Sequence, residues 1–483
     1  MIAELVSPAG LVALVPLLAA IMSGFVRDRV PGAWITIGSS SVAFGLACLL
    51  PWQLGVGTLL LVDPLAAHMA ILTSFVGMTT AWFSLRYIEI EMITGRLDAQ
   101  RARHYHVLFQ AFLGFMLLAL LSNNLGLTWG AMEAATIAAV LVVGLPRTDL
   151  AIEASWKMFV LCGVGIALAL FGTIVLYLAA QPSLGSGLPA MSWSALAMAA
   201  PGFKAPLLNL AFAFLLIGYG TKAALAPLHA WMPDAHAEGP TPVAAVLSGS
   251  ILNVALAVLL RVRGLMASNP EAISPGIPLM GLGLLSLLLA AFALWRRYDV
   301  KRFFAFSSVE QSGLAAFAFG IGGPAAMFAG VLHVTLHTLI KGAIFQCVGR
   351  ASQLKGGQKF ADIGGLIASH RALGLTLAAG IVAVAGMPPF GLFSSEFLIV
   401  LATIQSWPWL ALPVGLGLVV SGWALFNRLI TLCLGEPTPN RGPAPALIDL
   451  VPAWLHLAIV VVLGMAMPAG LVAWFTLVAG GLR

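Results

Sequence analysis

Residues 205–231 read APLLNLAFAFLLIGYGTKAALAPLHAW, and this stretch is the clearest indication of the fold class. It is long enough to cross a bilayer, because about 20 apolar residues in a helix span the ~30 Å hydrocarbon layer. Gly220, Lys222 and Pro227 interrupt it, since proline breaks helices and a lysine is costly to bury in lipid. A broken helix inside a membrane needs protein or a cavity around it. The stretch therefore predicts a membrane protein with a polar interior.

The composition of the whole chain agrees with this interpretation. Hydrophobic residues make up 60% of the 483 residues and charged residues only 9%, whereas about a quarter of the residues of a soluble domain are charged. The apolar runs lack the alternation of barrel strands, so they indicate helices. We expect an all-α polytopic membrane protein. Its net charge of +6 is expected to set the membrane orientation rather than to bind nucleic acid.

Polar, proline and glycine breaks divide the sequence into about fourteen expected transmembrane helices, each near the ~20 residues that a span requires. They are 4–26, 33–52, 64–86, 107–122, 125–144, 152–179, 205–231, 241–262, 277–295, 303–320, 325–349, 373–404, 410–432 and 452–478. The first run is not expected to be a cleaved signal peptide. Glu4 lies at its start, before the apolar core, and Arg27 and Arg29 follow it. A signal peptide instead has positive charge before its apolar core.

The positions of lysine and arginine test this count. With the N-terminus outside, seventeen of the 24 fall in inner loops and three lie within spans. The four on the outer side are Lys204, Arg261, Arg263 and Arg483. Such an excess on one side follows the positive-inside rule and predicts that both termini are outside. The outward pair Arg261 and Arg263 is the one discordant feature.

A second interrupted helix points to an internal repeat. Span 373–404 is too long for one straight membrane helix and contains GMPPFG at 386–391. The two breaks fall at similar places in the blocks 107–262 and 277–432, each of five spans and equal length. Because five is odd, the second copy is inverted, and broken helices at matching places in inverted halves are typical of ion-transport sites. The alternative is a coincidence of proline placement.

The predicted organisation follows from these blocks. It comprises an N-terminal three-helix segment (1–106), a first five-helix repeat (107–263), an inverted second repeat (277–432) and a C-terminal helix (433–483).

Two opposite charges are expected to pair inside the first repeat. Glu133 lies in the middle of one span and Lys222 beside the first break. A charge at the bilayer centre costs at least ~2.5–3.5 kcal/mol, so each needs a partner. A carboxylate and an ammonium on neighbouring helices can neutralise each other, and moving one changes the proton affinity of the other. This coupling is the basis of a proton-pumping step.

The second repeat contains a stripe of titratable residues. His333, His337 and Lys341 recur every four residues, which places them on one helix face. Histidine titrates near neutral pH, so the stripe is interpreted first as a proton relay. Packing histidines come second. A metal or haem site comes third, because two histidines alone do not form a metal site.

Other polar residues are weaker candidates. Glu396 follows the second break and is interpreted as a distal proton acceptor or release group, or as a cap of the half-helix that it begins. Glu310 and Gln311 lie about two turns into their span, where they can bond to helix ends. Glu153 and Lys157 are four apart, a spacing typical of a local salt bridge, and Lys157 remains a relay candidate.

The segment after the first break concentrates polar side chains. His229, Asp234 and His236 lie there, and the plain interpretation is loop structure and helix capping. A metal site is the alternative, although the spacing matches no common motif.

We expect no cofactor and no metal in this chain. Each of the four cysteines lies alone in or at the end of an apolar run, which indicates small core residues. They are Cys48, Cys162, Cys347 and Cys433. The sequence contains no phosphate-binding loop, no dinucleotide fingerprint and no H-E-x-x-H motif. It therefore has no active site of its own, and energy has to come from an ion gradient or from partner subunits.

Several motifs resemble those of one family, the antiporter-like membrane subunits of respiratory complex I and of membrane-bound hydrogenases. The resemblance is greatest to the F component of hydrogenase-4 and extends over nearly the whole chain. The motifs that carry it are GTKAALAPLHAWMPDAH at 220–236, WGAME at 129–133, SSVE at 307–310, the H-x-x-x-H-x-x-x-K pattern at 333–341, and PPF at 388–390 with SEF at 395–397.

The resemblance implies fourteen helices, two inverted five-helix repeats and a hydrated polar axis along the membrane plane. It implies that Glu133 and Lys222 are the family's Glu–Lys pair, that the histidine stripe is the central relay and that Glu396 is the distal group. The implied proton path is Glu133, Lys222, His333, His337, Lys341 and Glu396.

The sequence departs from some members of the family at two places. Asn253 occupies a position where some complex I relatives have lysine. An amide cannot carry the proton, so water or the histidines are expected to bridge there. The chain is also expected to lack the lateral helix of the longest complex I subunit of this type.

The sequence therefore leads to three hypotheses. The first is a proton-translocating subunit of a complex I-like or hydrogenase-4-like oxidoreductase in the bacterial cytoplasmic (inner) membrane. Its partners are other membrane subunits and a peripheral redox arm with iron–sulfur centres, nickel–iron or NADH-linked. The second is a cation/proton antiporter module or the membrane partner of an inorganic-carbon uptake system. The third is a structural subunit whose charges only hold helices together.

Overall fold

The computed structural model describes residues 2–26 and 29–482, so Arg27 and Arg483 lie outside the described residues. Nearly all of the fold is helical, and a short antiparallel pair, β1 (Gly55–Val56) and β2 (Leu61–Val62), pairs Gly55 with Val62. Twelve helical stretches among the described residues are long and apolar enough to cross a membrane. The helical membrane fold is confirmed, whereas the number fourteen stays a prediction.

The N-terminal part begins three of its helices with side-chain caps. Its helices are α1 (Ile2–Leu5), α2 (Pro8–Phe25), α3 (Arg29–Ala47), α4 (Pro64–Ile93) and α5 (Ala99–Leu121). Side-chain oxygens of Ser7, Asp63 and Asp98 accept the backbone N–H three residues ahead, at the starts of α2, α4 and α5. These caps satisfy N–H groups that a helix cannot bond internally.

The next part contains the first predicted break. Its helices are α6 (Leu125–Val143), α7 (Asp149–Leu184), α8 (Trp193–Ala199), α9 (Ala205–Lys222), α10 (Trp231–Glu238), α11 (Thr241–Val246) and α12 (Leu252–Ser268). The structure interrupts the helix between α9 and α10, at residues 223–230, as the sequence predicts. A π-helical turn, Leu247–Ile251, joins α11 to α12. The short helix α8 was not predicted.

The third part contains the second predicted break. Its helices are α13 (Gly276–Ala293), α14 (Val300–Ile321), α15 (Gly323–Lys355), α16 (Leu366–Ser369), α17 (Arg371–Val384), α18 (Leu392–Ser406) and α19 (Ala411–Leu429). The helix is interrupted between α17 and α18, at residues 385–391. Almost every residue of α15 is buried, because α14, α17, α18 and α20 (Val451–Met465) pack around it.

Other helices satisfy the backbone at both breaks. At the first break, the N–H of Ala226 donates to Ser286 Oγ at 2.7 Å, and Ser312 Oγ donates to the carbonyl of Ala223 at 2.8 Å. At the second break, the N–H of Gly391 donates to the carbonyl of Val460 at 3.1 Å. Irregular backbone at membrane depth thus lies inside protein, as its unpaired polar groups require.

The C-terminal span differs from its expected form. The sequence predicts one helix over 452–478, whereas the structure has two, α20 and α21 (Ala469–Gly480), separated by residues 466–468. Pro468 explains the interruption, because it has no N–H to donate and disfavours helical backbone in the residue before it.

The discordant arginines of α12 have partners at the end of the molecule where α4 begins. Arg261 Nη2 lies 3.1 Å from Asp63 Oδ2, and its guanidinium lies 6.0 Å from the Trp193 ring centroid. Arg263 Nη1 donates to the carbonyl of Leu482 at 2.9 Å. Both are therefore held by local contacts, which explains cations on the predicted outer side.

Candidate functional site

Lys222 ends α9 at the first break and is completely buried. Its ammonium lies 3.7 Å from Glu133 Oε2 and donates a hydrogen bond to Thr136 Oγ1. Glu133 and Thr136 are three residues apart on α6, so they share one helix face. One face of α6 thus provides both a counter-charge and a hydroxyl acceptor to the same buried cation.

Glu133 is less enclosed than its partner. Its side chain keeps 24% of its surface exposed, whereas that of Lys222 keeps none. Ile137 and Leu141 follow it at intervals of four and are 45% and 53% exposed. Because this spacing places all three on one face of α6, Glu133 lies at the edge of a stripe that faces out of the chain.

Hydroxyl and amide groups connect the two halves of the molecule. Ser248 Oγ and Ser308 Oγ are 2.6 Å apart, and Asn253 Nδ2 donates to Thr338 Oγ1 at 2.7 Å. Gly249 permits this approach, because a Cβ there would lie 2.6 Å from Thr338 Cγ2. The π-helical turn that contains Ser248 and Gly249 is a form often found at functional sites. Asn253 thus contributes a hydrogen bond where the resemblance leads one to look for a lysine.

Lys341 is a buried lysine of the second half. It is fully buried on α15, and its Nζ donates to the carbonyl of Phe304 at 2.9 Å. The same Nζ lies 5.6 Å from the centroid of the Phe304 ring, a cation–π distance. A carbonyl and a ring face are weaker partners than a carboxylate.

His337 and His333 lie one and two turns before Lys341, respectively, and are buried on α15. His333 Nδ1 is 3.1 Å from Ser395 Oγ of α18. His337 Nε2 has no hydrogen-bond partner among the described residues. No group of three or more histidine, cysteine, aspartate or glutamate side chains in the described part of the chain is placed to hold a metal ion.

One carboxylate is held in the second break and another lies on the neighbouring helix α14. Gly386 lies in the break with φ +65°, and a Cβ there would lie 2.0 Å from Glu396 Oε2. On α14, which packs against α18, Gln311 Nε2 donates to Glu310 Oε1 at 3.4 Å. The Glu396 carboxylate therefore occupies space that only a glycine leaves free.

Lys157 belongs to an ion-pair cluster at the edge of the molecule. Its Nζ lies 2.6 Å from Glu153 Oε1 and 3.1 Å from Asp234 Oδ2, and 47% of its side chain is exposed. Arg302 extends the cluster to Asp234 at 3.3 Å and to Glu238 at 3.0 Å. The structure thus contains the local Glu153–Lys157 salt bridge that the spacing suggests. The other contacts of the cluster join α7, α10 and α14.

His229 and His236 lie apart from the Lys222 ion pair. His236 is fully buried, its Nδ1 is 2.8 Å from the carbonyl of Met232, and its ring centroid is 5.3 Å from that of Phe345. The ring centroid of His229 is 6.0 Å from that of Phe306. Each histidine thus contacts an aromatic ring, and His229 Nδ1 and His236 Nε2 have no hydrogen-bond partner among the described residues.

Two buried histidines and the hydroxyl groups of the centre were not predicted from the sequence. His456 uses both ring nitrogens, each at 2.8 Å, on Thr79 Oγ1 and the carbonyl of Leu339. His68 likewise uses both, on Thr335 and Trp474. Such saturated histidines pack helices together. No local pattern separates them from His337, whose free nitrogen only the tertiary contacts reveal.

Comparison with known proteins gives the family. Residues 122–421 match the family described as "NADH:quinone oxidoreductase/Mrp antiporter, TM". A hydrogenase-4 component F homolog of Methylacidiphilum infernorum is 48% identical over 419 residues, which are 87% of this chain and 88% of that protein.

The chain belongs to this family of antiporter-like membrane subunits. The matched region contains all six residues of the predicted path.

Solved structures of low identity share the fold. A chain of the membrane-bound sulfane sulfur reductase, an archaeal respiratory membrane complex, aligns with a TM-score of 0.85 at 22% identity, over 98% of this chain and 97% of that one. A chain of the Mrp complex from Dietzia sp. aligns with a TM-score of 0.84 at 17% identity, with the same coverage. The antiporter-like fold therefore extends over nearly the whole chain.

Proposed function

We propose that this antiporter-like subunit moves protons across the membrane for a hydrogenase-4-like or complex I-like oxidoreductase. One observation carries the proposal: the fully buried Lys222 lies 3.7 Å from a partly exposed Glu133 and also contacts Thr136. A buried lysine is costly, and such residues mark ion pathways in membrane proteins. Its counter-charge lies at the side of the chain, where a neighbouring subunit can reach it.

The proton path that we propose has two ends and a polar centre. It begins at Glu133 and Lys222, crosses the centre to the His333–Lys341 stripe, and ends at Glu396. The contacts Ser248–Ser308 and Asn253–Thr338 support continuity, because they join hydroxyl and amide groups of the first half to α14 and to α15, the helix that carries Lys341. Glu310 and Gln311 support the last step, because they lie on α14, which packs against the helix that carries Glu396.

Water carries the proton between the side chains of this path. Several buried polar atoms near the stripe have no partner among the described residues, among them Ser250 Oγ, Ser307 Oγ, Gln311 Oε1, His337 Nε2 and both amide atoms of Gln346. Buried polar groups are rarely left without hydrogen bonds, and ordered water commonly satisfies them. Water at these atoms would carry a proton past Asn253, which cannot itself be protonated and deprotonated in turn.

The same proposal includes the finer architecture. Fourteen transmembrane helices form two inverted five-helix repeats, and both termini lie outside the cytoplasmic membrane. Other membrane subunits flank the chain, and a peripheral arm with iron–sulfur, nickel–iron or NADH-linked centres supplies the energy. The two helix breaks, α9–α10 and α17–α18, support the repeats because they fall at matching places.

Coupling acts through the Lys222 ion pair. A neighbouring subunit that moves the Glu133 carboxylate changes the field at the ammonium, which is strong because little water screens it. A conformational change in the neighbouring subunit thus drives a proton transfer along the path. The reverse also holds, because a proton arriving at Lys222 changes the force on Glu133.

The test compares two lysines of the same region. The complex carrying Lys222→Met or Lys157→Met is reconstituted in liposomes, and redox-driven acidification is measured beside electron transfer. We expect Lys222→Met to lower acidification by at least about tenfold, as expected for loss of a proton-transfer group. Lys157→Met should leave it nearly unchanged, because exposed ion pairs contribute only ~0–1 kcal/mol.

Assembly has to be measured beside transport, by native gel electrophoresis of the solubilised complex. Full assembly with lost acidification supports the proposal. Loss of assembly in Lys222→Met, or equal effects of the two changes, would support the structural role instead. Co-purification from native membranes then separates the redox complex from a cation/proton antiporter module, because only the former brings along redox subunits.

A further inference from the structure

A groove on the outside of the helix bundle has a charged mouth and an apolar floor. It lies between α5, α6 and α7, has a volume of about 580 Å³ and is lined by Leu108, Val140, Leu141, Trp156 and Phe159 among others. Such a volume is within the range of small-molecule sites. Leu141 and Trp156 are 53% and 62% exposed, so the groove opens sideways from the bundle.

The charged mouth is built from two helix ends and a loop. Arg147 lies in the loop between α6 and α7, and His104 lies near the start of α5; both line the groove. Arg101 Nη1 donates to the carbonyl of Pro146 at 3.2 Å and so ties this loop to α5. The mouth therefore lies at one end of three membrane helices, where headgroups begin.

Arg147 is not explained by contacts inside the chain. Its guanidinium forms no ion pair with any described carboxylate, and Asp149, two residues away, is no exception. Its backbone has φ +57°, in the left-handed region where glycine or asparagine is usual. The turn alone would favour glycine or asparagine. An arginine there without an internal partner therefore indicates a role for its guanidinium.

We propose that this groove binds one anionic phospholipid, with its phosphate at Arg147 and His104 and an acyl chain along Leu141 and Trp156. Basic pockets between membrane helices recognise anionic headgroups. An arginine provides a planar fork of donors for phosphate oxygens. Trp156 stands over the groove with its ring centroid 5.7 Å from that of Phe159, and tryptophan favours the level of the membrane interface.

The experiment measures lipid retained by the purified full-length chain. Native mass spectrometry follows titration with phosphatidylglycerol or phosphatidylcholine, for wild type, Arg147→Gln and Arg371→Gln. Arg371 is a matched control, because it is exposed at the start of α17 and lies outside the groove. We expect wild type to retain one phosphatidylglycerol in preference to phosphatidylcholine. Arg147→Gln should weaken phosphatidylglycerol about fivefold, the effect of one surface cation, and Arg371→Gln should not.

A second variant tests the apolar part without touching the charge. Val140→Trp fills the floor of the groove and should reduce retention of phosphatidylglycerol while Arg147 is intact. Equal retention of both lipids by wild type, or equal losses in Arg147→Gln and Arg371→Gln, would overturn the proposal. So would a photo-crosslink from position 141 to a neighbouring subunit in the intact complex, because the groove would then be a protein interface.

Discussion

The Lys222 ammonium and the Glu133 carboxylate lie 3.7 Å apart, although one belongs to a fully buried side chain and the other to a side chain that is 24% exposed. The pair therefore joins the interior of the subunit to its lateral surface. Glu133 is the partner that can be reached from outside the chain, although the Oε2 atom that faces Lys222 is itself buried.

The paired neutral replacement separates a functional ion pair from a structural one. Glu133→Gln with Lys222→Met removes both charges, and replacing a buried pair with apolar groups is often neutral or stabilising. We expect the double variant to assemble at least as well as wild type and to lose acidification by about tenfold or more, because no group is left to exchange a proton. Acidification at the wild-type rate would contradict a role for either residue in transport.

Two histidines of similar burial should respond differently to substitution. His456→Ala removes two hydrogen bonds, to Thr79 Oγ1 and the carbonyl of Leu339, and leaves a cavity where the buried ring packs against Gly342. We expect it to lower the free energy of unfolding by about 2–5 kcal/mol. His337→Gln leaves a polar side chain and should lower acidification much more than stability. Thermal melting of the purified chain beside transport assays checks both.

One outcome would contradict the roles predicted for His456 and His337. If His456→Ala reduced transport at unchanged stability, and His337→Gln reduced stability at unchanged transport, the roles assigned from their hydrogen bonds would be reversed.

Gly386 is expected to be indispensable beside Glu396. Alanine there would place a Cβ 2.0 Å from Glu396 Oε2, in addition to adopting φ +65°. Gly95 provides the control, because it has φ +72° and open space around it. Both changes incur the ~1–2 kcal/mol of left-handed backbone. Only Gly386→Ala should also displace Glu396 and reduce acidification.

Measurement of unfolding and transport for both glycine variants separates the strain from the clash. Equal behaviour of the two variants would show that the Glu396 carboxylate does not depend on the space at Gly386.

The side chain of Glu4, near the N-terminus, should make the stability of its local contacts depend on pH. Glu4 accepts backbone N–H groups of Leu59, Thr58 and Leu60 at 2.8, 3.1 and 3.2 Å, and the bond from Leu59 is the largest cause that holds the pKa of Glu4 below its usual 4.5. A lowered pKa in the folded state stabilises the carboxylate contact above pH ~4.5, and this stability is lost as the pH falls through the folded value.

Amide exchange of residues 58–60, corrected for its intrinsic pH dependence, measures this contact. We expect protection in wild type to decrease as the pH falls through the lowered pKa of Glu4. In Glu4→Gln, protection should be lower and independent of pH over the same range. A parallel decrease in both proteins would assign the pH dependence to another group.

Most of the long helices, the two interruptions within them and the charges inside apolar runs are predictable from the sequence alone. These are local properties: apolar length sets a span, proline and glycine interrupt it, and a lone charge in an apolar run is visible without a structure. The interruptions at 223–230 and 385–391 were predicted for this reason.

Which group each charge contacts depends on the tertiary structure. Lys157 joins Asp234 at the edge, Lys222 meets Glu133 inside, and Lys341 contacts a carbonyl rather than a carboxylate. The partners come from helices that are distant in sequence, and the close approach depends on packing such as that at Gly249. Helix-forming tendency is read along the chain, whereas distances between helices arise from how their side chains fit together.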